Sequence, residues 1–351
     1  MTTIPRTKLP TLNMVHTNTH HPSDLSSLSL KQIMETPRYQ QYLAAIQNIG
    51  KTELHAHLAG AVPLEFLQKN CDETTFSQLS HDIDKIRNGV DYDKAFSIFD
   101  TIGKILNTEQ RIEEAAFEFC RAQYNDKVAF SELRTGLKNL GTGFEGYLQA
   151  VLKGLERGMQ TYPIQVNLLL SLRRNTTEAD ADKTIDLALK YRDKGITGID
   201  VSGNSVCGDA KGIFTALQRA KELKFPVTLH IGENPKETPE QQMKELKTIQ
   251  PQRIGHGVFL CPEAIEWVRS QHIPVEVCIK SALSVDMIDH ASKHPWLKLL
   301  QEGHPLVFCT DDATLFGDLS SELALLACLK DLSLSEIIEL QSQAHQYAFK
   351  H

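Results

Sequence analysis

No apolar run in the 351-residue sequence reaches the ~20 residues that a membrane-spanning helix requires. Positive charge is also scarce, because 37 Lys and Arg residues stand against 44 Asp and Glu residues, which gives a net charge of -7. General binding to nucleic acid depends on an excess of basic residues against phosphates. We therefore expect neither a membrane nor a nucleic-acid partner.

Cysteine is sparse as well: the seven cysteines are an odd number and include no C-x-x-C pair. This pattern favours reduced thiols over a disulfide framework or a cysteine zinc site. The first 30 residues lack the apolar core of a signal peptide, so we expect a cytoplasmic protein. Their polar composition, including His20 and His21, predicts an irregular solvated segment, and we assign residues 1–47 to an N-terminal arm.

A repeated pattern begins at about residue 48. The composition, 41% hydrophobic and 23% charged, is that of a globular protein. Eight apolar runs bounded by turn residues predict β-strands, and most are followed by a helical pattern. The runs are TELHAH (52–57), VAFSELRT (128–135), IQVNLLLSL (164–172), ITGIDVSG (196–203), PVTLHIGE (226–233), RIGHGVF (253–259), IPVEVCIKS (273–281) and PLVFCTDD (305–312).

Strands that alternate with helices form parallel sheets, and eight such units close most simply into a barrel. An open doubly wound sheet is the alternative, but no G-x-G-x-x-G follows any of the runs. We therefore predict an α/β fold, a (β/α)8 TIM barrel over residues 48–351. The long gap after the first run, about residues 60–127, contains helical patterns and predicts a helical insertion that acts as a lid.

Histidines and acidic residues recur at the carboxyl ends of the predicted strands, where the active sites of TIM barrels are built. The spacing of His55 and His57 directs both side chains to the same face of a strand. Each match alone also fits a structural residue, but the coincidence at four strand ends favours a functional site. The candidates are His55, His57, His230, Glu233, His256, Asp311 and Asp312.

Three neutral histidines and one carboxylate form a donor set that suits Zn²⁺ better than Mg²⁺, with Fe²⁺ and Co²⁺ as alternatives. A coordination position left open for water would make such a centre catalytic.

Six motifs, in this order, make the chain resemble the adenosine and AMP deaminase family over about residues 48–345: ELHAHLAG, SELRTGLK, GIDVSGN, HIGE, RIGHG and CTDD. Within it, ELRTGLK, IPVEVCIKS and HPLVFCTDD look most similar to the branch that acts on N6-methyl-AMP. The resemblance implies removal of the 6-amino or 6-methylamino group from a purine nucleoside or its 5'-monophosphate, giving a 6-oxopurine. It also implies one Zn²⁺ per chain, bound by His55, His57, His230 and Asp311.

The resemblance also implies roles for the other candidates. Glu233 would protonate the ring nitrogen beside the reacting carbon, and His256 and Asp312 would flank the attacking water. Gly203 would bring a backbone amide to the ring. A 5'-phosphate would need positive charge or amide donors near the mouth, and the candidates are Arg134, Thr135 and Lys138, with Arg173 and Arg174 after the next strand.

The sequence departs from the family pattern at three places. Ala59 stands where relatives usually carry Asp or Asn, and Ala282 stands where Asn is usual. Ala313 and Thr314 replace a Pro or Lys and a Gly. Because the loss of a hydrogen-bond partner costs on the order of 1 kcal/mol, we expect an altered substrate pocket beside an intact metal site.

Three other functions remain open. One is adenosine deaminase proper, acting on adenosine or deoxyadenosine. Another is a wider amidohydrolase with two metals bridged by a modified lysine, although the fourth run contains no lysine. The last is a purine-binding barrel without catalysis. In each case we expect a small-molecule ligand and a monomer.

Overall fold

The protein is represented by a computed structural model that describes residue 25 and residues 27–89, 97–205 and 210–350. His20 and His21, with most of the predicted polar segment, lie outside the described residues.

Eight parallel strands form one sheet in chain order. The first and last strands also meet, because Asp311 N donates to His55 O at 2.9 Å and His57 N donates to Asp311 O at 3.1 Å. These bonds bring the two sheet edges together into a nearly closed barrel, so the predicted (β/α)8 fold is confirmed. The strands are Lys51–His57 (β1), Val128–Gly136 (β2), Gln165–Arg173 (β3), Ile196–Ser202 (β4), Val227–Ile231 (β5), Arg253–His256 (β6), Val275–Val277 (β7) and Leu306–Phe308 (β8).

Helices connect the strands, as parallel neighbours require. Many begin at a side-chain N-cap; for example, Thr177 accepts from Asp180 N and Thr238 accepts from Gln241 N. No helix of the described residues is long and apolar enough to span a membrane. The α-helices are Leu30–Glu35, Pro37–Ile46, Leu64–Lys69, Glu73–Arg87, Ser97–Ile105, Glu109–Asn125, Gly143–Thr161, Glu178–Lys190, Lys211–Glu222, Pro239–Ile249, Pro262–Ser270, Ile279–Ser284, Ala313–Phe316, Leu319–Lys330 and Leu334–Gln346.

The seventh strand is shorter than the apolar run predicted. The run extends to residue 281, but the chain turns into the helix Ile279–Ser284 directly after β7. The Glu322 carboxylate accepts hydrogen bonds from the backbone N–H groups of Ile279 and Lys280, which fixes the start of this helix. A distant carboxylate therefore ends the strand, and local propensity could not reveal it.

Charged side chains fill the interior of the barrel below the strand ends. The guanidinium of Arg253 binds the carboxylates of Glu132 and Glu276, and Arg134 binds Glu276 at 3.0 Å and Asp200 at 3.1 Å. All five side chains are buried. Because an unpaired buried charge is costly, these five side chains hold one another in place.

Four described helices lie between β1 and β2, in the region predicted as an insertion. The last of them, Glu109–Asn125, packs closely against Gly143–Thr161 and belongs to the outer ring of helices. The helix Glu73–Arg87 instead reaches the segment after β8, where Arg87 donates to the carbonyls of Thr314 at 3.1 Å and Leu315 at 2.8 Å.

Residues 30–46 of the predicted N-terminal arm form two helices. Ser29 caps the first and Thr36 caps the second through its bond from Tyr39 N. The Tyr39 hydroxyl donates to Ser321 O at 3.3 Å, so this part of the arm packs against the helix Leu319–Lys330.

Candidate metal centre

Four predicted ligands converge at the carboxyl end of the barrel. His57 Nε2 lies 3.1 Å from His230 Nε2 and 3.3 Å from Asp311 Oδ1, and His55 Nε2 lies 3.4 Å from the same Asp311 oxygen. His55 and His57 come from β1, His230 comes from β5 and Asp311 follows β8. The structure thus brings together residues that are up to 256 positions apart in the sequence.

The spacing of these donor atoms fits a single metal ion. Ligands held about 2.0–2.1 Å from a tetrahedral zinc ion lie about 3.3 Å from each other. The three distances given above, 3.1, 3.3 and 3.4 Å, are close to this value. Furthermore, His55 Nε2 is buried without a hydrogen-bond partner among the described residues, which is expected of an atom that binds a metal.

Carboxylates behind two histidines determine which nitrogen faces the cluster. Glu276 Oε2 accepts from His55 Nδ1 at 2.6 Å, and Asp200 Oδ1 lies 3.0 Å from His230 Nδ1. The Nδ1 atoms therefore face the carboxylates, and both Nε2 atoms face the cluster. Metal-bound histidines in proteins show this same arrangement.

The electrostatics of the cluster also favour a cation. Burial and Arg134 lower the pKa of His55, but the carboxylates of Asp311 and Glu276 outweigh them and raise this pKa to about 9. Burial tends to raise the pKa of Asp311, yet His55 and His57 hold it well below its usual range. The carboxylates thus attract positive charge to this point, which a divalent ion would supply.

The backbone at Asp311 is held in an uncommon conformation. Its φ is +63°, in the left-handed region that non-glycine residues seldom adopt. The hydroxyl of Ser281 donates to Asp311 Oδ2 at 2.7 Å, which leaves Oδ1 facing the histidines. The strained backbone and this hydrogen bond together aim one carboxylate oxygen at the cluster.

Glu233 and His256 lie next to each other beside the predicted ligands. His256 Nε2 is 3.6 Å from Glu233 Oε1, and the ligand atoms of His256 and of His55, His230 and Asp311 lie within 4.8 Å of one another. Burial holds the pKa of His256 well below its usual value, so the ring is neutral. Neither ring nitrogen has a hydrogen-bond partner among the described residues.

The backbone, not a side-chain contact, therefore orients His256. Its φ is +62°, and the next residue, Gly257, has a φ of +65°. Gly257 N donates to Ile231 O at 2.9 Å, and the indole N–H of Trp296 donates to Gly257 O at 3.0 Å. These two bonds keep the end of β6 in the conformation that points His256 toward Glu233.

Asp312 covers the turn after β1. A Cβ atom built on Gly60 would lie 1.6 Å from Asp312 Oδ1, so only glycine fits beneath this carboxylate. Burial, and then the neighbouring charges of Asp311 and Glu233, raise the pKa of Asp312 well above its usual range. Its buried Oδ1 has no hydrogen-bond partner among the described residues, which leaves it available to a water molecule.

The residues expected at the mouth lie at the ends of β2, β3 and β4. Gly203 follows β4 with a φ of +83°, and the Thr135 hydroxyl bonds to the hydroxyl of Tyr147 at 2.8 Å. Burial and the nearby charge of Arg173 lower the pKa of Lys138, partly offset by Asp100. The positive charge of Arg173 therefore acts on Lys138 at this end of the barrel.

Arg134 and Arg174 do not point to the mouth. Arg134 lies in the barrel interior, where its guanidinium binds Leu54 O at 2.5 Å, Asp200 and Glu276. Arg174 is buried against Glu245 and donates to Gly203 O at 3.0 Å. Both guanidinium groups stabilise the protein from within, because buried positive charges must be paired.

Asp200 and Glu276 were not among the candidate residues predicted from the sequence. Both lie in the apolar runs that form strands β4 and β7. The available signal was a single carboxylate inside an otherwise apolar strand, since such a charge is rarely buried without a partner. The partners, His230 and His55, lie on strands distant in the sequence.

The three departures from the family pattern fall close to the site. Ala59 is partly buried and packs against the hydrophobic core, and Ala282 is buried in the helix after β7. The Thr314 hydroxyl donates to the carbonyl of Val62, and Thr314 N donates to Gly60 O at 2.8 Å. The residues at 59 and 282 therefore add methyl groups where the family carries polar side chains.

A barrel of eight parallel strands with histidine and carboxylate donors at its carboxyl end defines a (β/α)8 barrel protein with a candidate metal centre. The family model of adenosine deaminase matches residues 50–351. The chain therefore belongs to the adenosine deaminase family, and it is a hydrolase of the deaminase type. Members of this family are metal-dependent, which agrees with the donor cluster.

Individual relatives agree with this membership. The chain is 33% identical to N6-mAMP deaminase of Arabidopsis thaliana, over 87% of this chain and 93% of the relative. It is 31% identical to N6-methyl-AMP deaminase of Danio rerio, over 86% and 91% of the two chains. Arabidopsis ADAL complexed with GMP superposes with a TM-score of 0.79 at 33% identity, covering 87% of this chain and 94% of that chain. Arabidopsis ADAL complexed with IMP superposes with a TM-score of 0.80 at 32% identity, covering 87% of this chain and 94% of that chain.

Proposed function

We propose that the protein is a zinc-dependent deaminase that hydrolyses N6-methyl-AMP, or a related 6-aminopurine 5'-monophosphate, to the 6-oxopurine nucleotide. The observation that carries the proposal is the placement of Glu233 and His256, 3.6 Å apart, beside four converging metal donors. The names of the relatives support the substrate, since the Arabidopsis and Danio proteins are both N6-methyl-AMP deaminases. The GMP and IMP complexes support a nucleotide ligand with a 6-oxo group.

His55, His57, His230 and Asp311 would hold the zinc ion. When bound, zinc supplies a Lewis acid that lowers the pKa of a coordinated water towards 7. The chain then has to place this water and the purine against each other and move the protons.

Glu233 acts as the general acid. It donates a proton to the ring nitrogen next to the reacting carbon, which makes that carbon more electrophilic. Water forms the new carbon–oxygen bond, and the bond from carbon to the amine breaks. One proton of the water replaces the proton given by Glu233, and the other leaves with methylamine, or with ammonia from AMP.

His256 and Asp312 position the attacking water. The neutral His256 ring accepts a hydrogen bond from the water and orients it, because neither ring nitrogen has another partner in the described residues. Asp312 Oδ1 accepts a hydrogen bond and fixes the direction of attack. The backbone N–H of Gly203 donates to the purine ring and keeps its edge against Glu233.

Lys138, Arg173 and Thr135 bind the 5'-phosphate. Lys138 follows β2, and Arg173 ends the neighbouring β3, so both charges lie on the carboxyl side of adjacent strands. Burial, and then the charge of Arg173, lower the pKa of Lys138, and a phosphate between the two side chains would offset the second of these effects. The Thr135 hydroxyl contributes a further donor.

Two helices of the insertion form a lid over the mouth. Arg87 of Glu73–Arg87 contacts the segment after β8, and a Cβ atom on Gly103 of Ser97–Ile105 would lie 3.7 Å from Lys138 Nζ. Both helices thus touch segments that follow the carboxyl ends of strands. A cover at this position excludes bulk water from the proton transfers.

Replacement of Glu233 by Gln tests the general acid. The variant keeps the shape of the side chain but cannot donate the acid proton, so turnover of N6-methyl-AMP should fall by about 100-fold or more. The loss of absorbance of the 6-methylamino purine measures the rate, and metal analysis of the purified protein should give the wild-type zinc content. Glu240→Gln on an exposed surface is the control. An unchanged rate in Glu233→Gln would contradict the assignment.

The phosphate contact has its own test. Lys138→Ala should raise the KM for N6-methyl-AMP and AMP, while any rate with adenosine or N6-methyladenosine stays the same. Lys183→Ala, on an outer helix, serves as the comparison. If wild-type enzyme prefers adenosine to both nucleotides, the protein is an adenosine deaminase and the phosphate site is refuted.

A further inference from the structure

We propose that Glu237 is a positioning residue that fixes the turn carrying Glu233 and ties it to the loop after β4. This inference rests on the proposed function, in which Glu233 and Gly203 both face the purine. Glu237 is only 8% exposed, although it lies in a turn just before the helix Pro239–Ile249. A buried carboxylate in a turn needs partners that account for its desolvation.

Three consecutive backbone amides supply these partners. Glu237 Oε2 accepts from Gly232 N at 2.8 Å, and Oε1 accepts from Glu233 N at 3.1 Å and Asn234 N at 3.2 Å. Hydrogen bonds from N–H groups to a carboxylate are stronger than those to a neutral acceptor. The backbone of the turn is therefore fixed on both sides of Glu233.

The same carboxylate reaches the neighbouring loop. The Ser205 hydroxyl donates to Glu237 Oε1 at 2.6 Å, and Ser205 O in turn accepts from Gln241 Nε2 at 2.6 Å. Ser205 lies two residues after Gly203, in the segment that follows β4. Glu237 is thus the common acceptor for two loops that approach the purine from different strands.

Asn234 strengthens the connection between these two loops. Its side-chain amide donates to Asn204 Oδ1 at 3.3 Å, and its Oδ1 accepts from Lys236 N at 2.9 Å. Two side-chain contacts therefore connect the turn to the loop, one between Asn234 and Asn204 and one between Glu237 and Ser205. These contacts between the turn and the loop set the distance between Glu233 and Gly203. That distance decides whether both residues can contact one purine.

Replacement of Glu237 by Gln should disturb the geometry of the turn at residues 232–234 without changing the size of the side chain. An amide has one acceptor oxygen and one NH2 group, so either Gly232 N–H or the donors on Oε1 would face another donor. The turn would then rotate away, and the Glu233 carboxyl would lose its place relative to His256 Nε2. A displacement of about 1 Å at a reacting group lowers the rate on the order of 100-fold.

The experiment compares Glu237→Gln with Glu240→Gln, the same change at an exposed position three residues further along. For zinc-loaded enzyme we expect kcat with N6-methyl-AMP to fall about 10- to 100-fold in Glu237→Gln, with a much smaller change in KM and unchanged zinc content. Hydrogen–deuterium exchange of the amides of 232–234 should accelerate at least tenfold in this variant alone. Glu240→Gln should match the wild type in every measurement.

Three results would overturn the proposal. They are unchanged exchange at 232–234, an unchanged kcat, or a parallel loss of kcat, zinc and thermal stability that indicates a general folding defect. If Glu237→Gln does not fold, Ser205→Ala removes one donor only and should still accelerate exchange at 232–234. If the wild type converts no purine, the proposed function fails, whereas the exchange data still decide whether Glu237 holds the turn.

Discussion

At the scale of single residues, Glu276 lies outside the donor cluster but orients one of its histidines, His55. One carboxylate oxygen accepts from His55 Nδ1 at 2.6 Å, and the other binds Thr228 and Arg253 at 2.8 and 2.7 Å. Burial tends to raise the pKa of Glu276, but Arg134 and Arg253 hold it well below its usual range. The carboxylate is thus ionised and keeps His55 Nε2 directed at the other donors of the candidate metal centre.

Replacement of Glu276 by Gln should weaken metal binding by about 10- to 100-fold. The amide cannot provide the negative charge that orients His55, and it leaves Arg134 and Arg253 with less compensation. Competition between the metal-free protein and a chromophoric zinc chelator measures the affinity. Glu263→Gln, on an exposed helix, should bind zinc like the wild type, and equal affinities for all three proteins would refute this role of Glu276.

At the scale of elements, the two long helices of the outer ring are held close by glycine. A Cβ on Gly154 of the helix Gly143–Thr161 would lie 2.1 Å from the carbonyl oxygen of Glu113, on Glu109–Asn125. A backbone atom cannot move as a flexible side chain does. The two helices approach each other only because this position has no side chain.

Gly154→Ala should therefore destabilise the protein by about 1–3 kcal/mol, because the helices must separate. Gly103→Ala makes the same change inside another helix, where the nearest atom, Lys138 Nζ, lies at 3.7 Å. In Gly103→Ala the gain in helix propensity should stabilise the protein by about 0.5–1 kcal/mol. Urea unfolding followed by circular dichroism measures both values, and shifts of the same sign in the two variants would disprove this account of the packing.

At the scale of the whole molecule, stability should depend on pH through Asp126, which lies before β2 at the opposite end of the barrel from the metal centre. Its carboxylate accepts from Ser320 N at 3.1 Å and lies 3.8 Å from Lys51 Nζ. Burial, and then the charge of Asp318, raise its pKa to about 6. The folded protein therefore binds this proton more tightly than the unfolded chain does.

Between about pH 4 and 6 the folded state retains the proton of Asp126 that the unfolded state has already lost. The free energy of unfolding should accordingly decrease as the pH rises through this range, by up to about 3 kcal/mol from this one group. Asp126→Asn should remove that part of the slope, whereas Asp193→Asn on the surface should not. Urea titrations at several pH values measure the slopes, and parallel curves for the wild type and Asp126→Asn would contradict the prediction.

The amino-acid sequence was enough to predict the barrel and the position of the donor cluster. Apolar runs with turn residues at both ends predicted all eight strands, because burial between helices and barrel interior requires such runs. Since parallel strands end on one side of a barrel, the order of the runs was enough to bring His55, His230 and Asp311 together. The carboxyl ends of β6, β7 and β8 fall short of the predicted runs. At β7, Glu322 fixes the end from a distant helix.

The contacts of the polar side chains, by contrast, form only in the folded barrel. Arg134 lies near the end of an apolar run, where a mouth residue is expected, but it is turned inward by Asp200 and Glu276, which come from other strands. The orientation of His55 depends on Glu276, and the turn at Glu233 depends on Glu237 and Ser205. These are hydrogen bonds between particular atoms of residues far apart in the chain or across a turn, and the one-dimensional pattern of residue types does not contain their geometry.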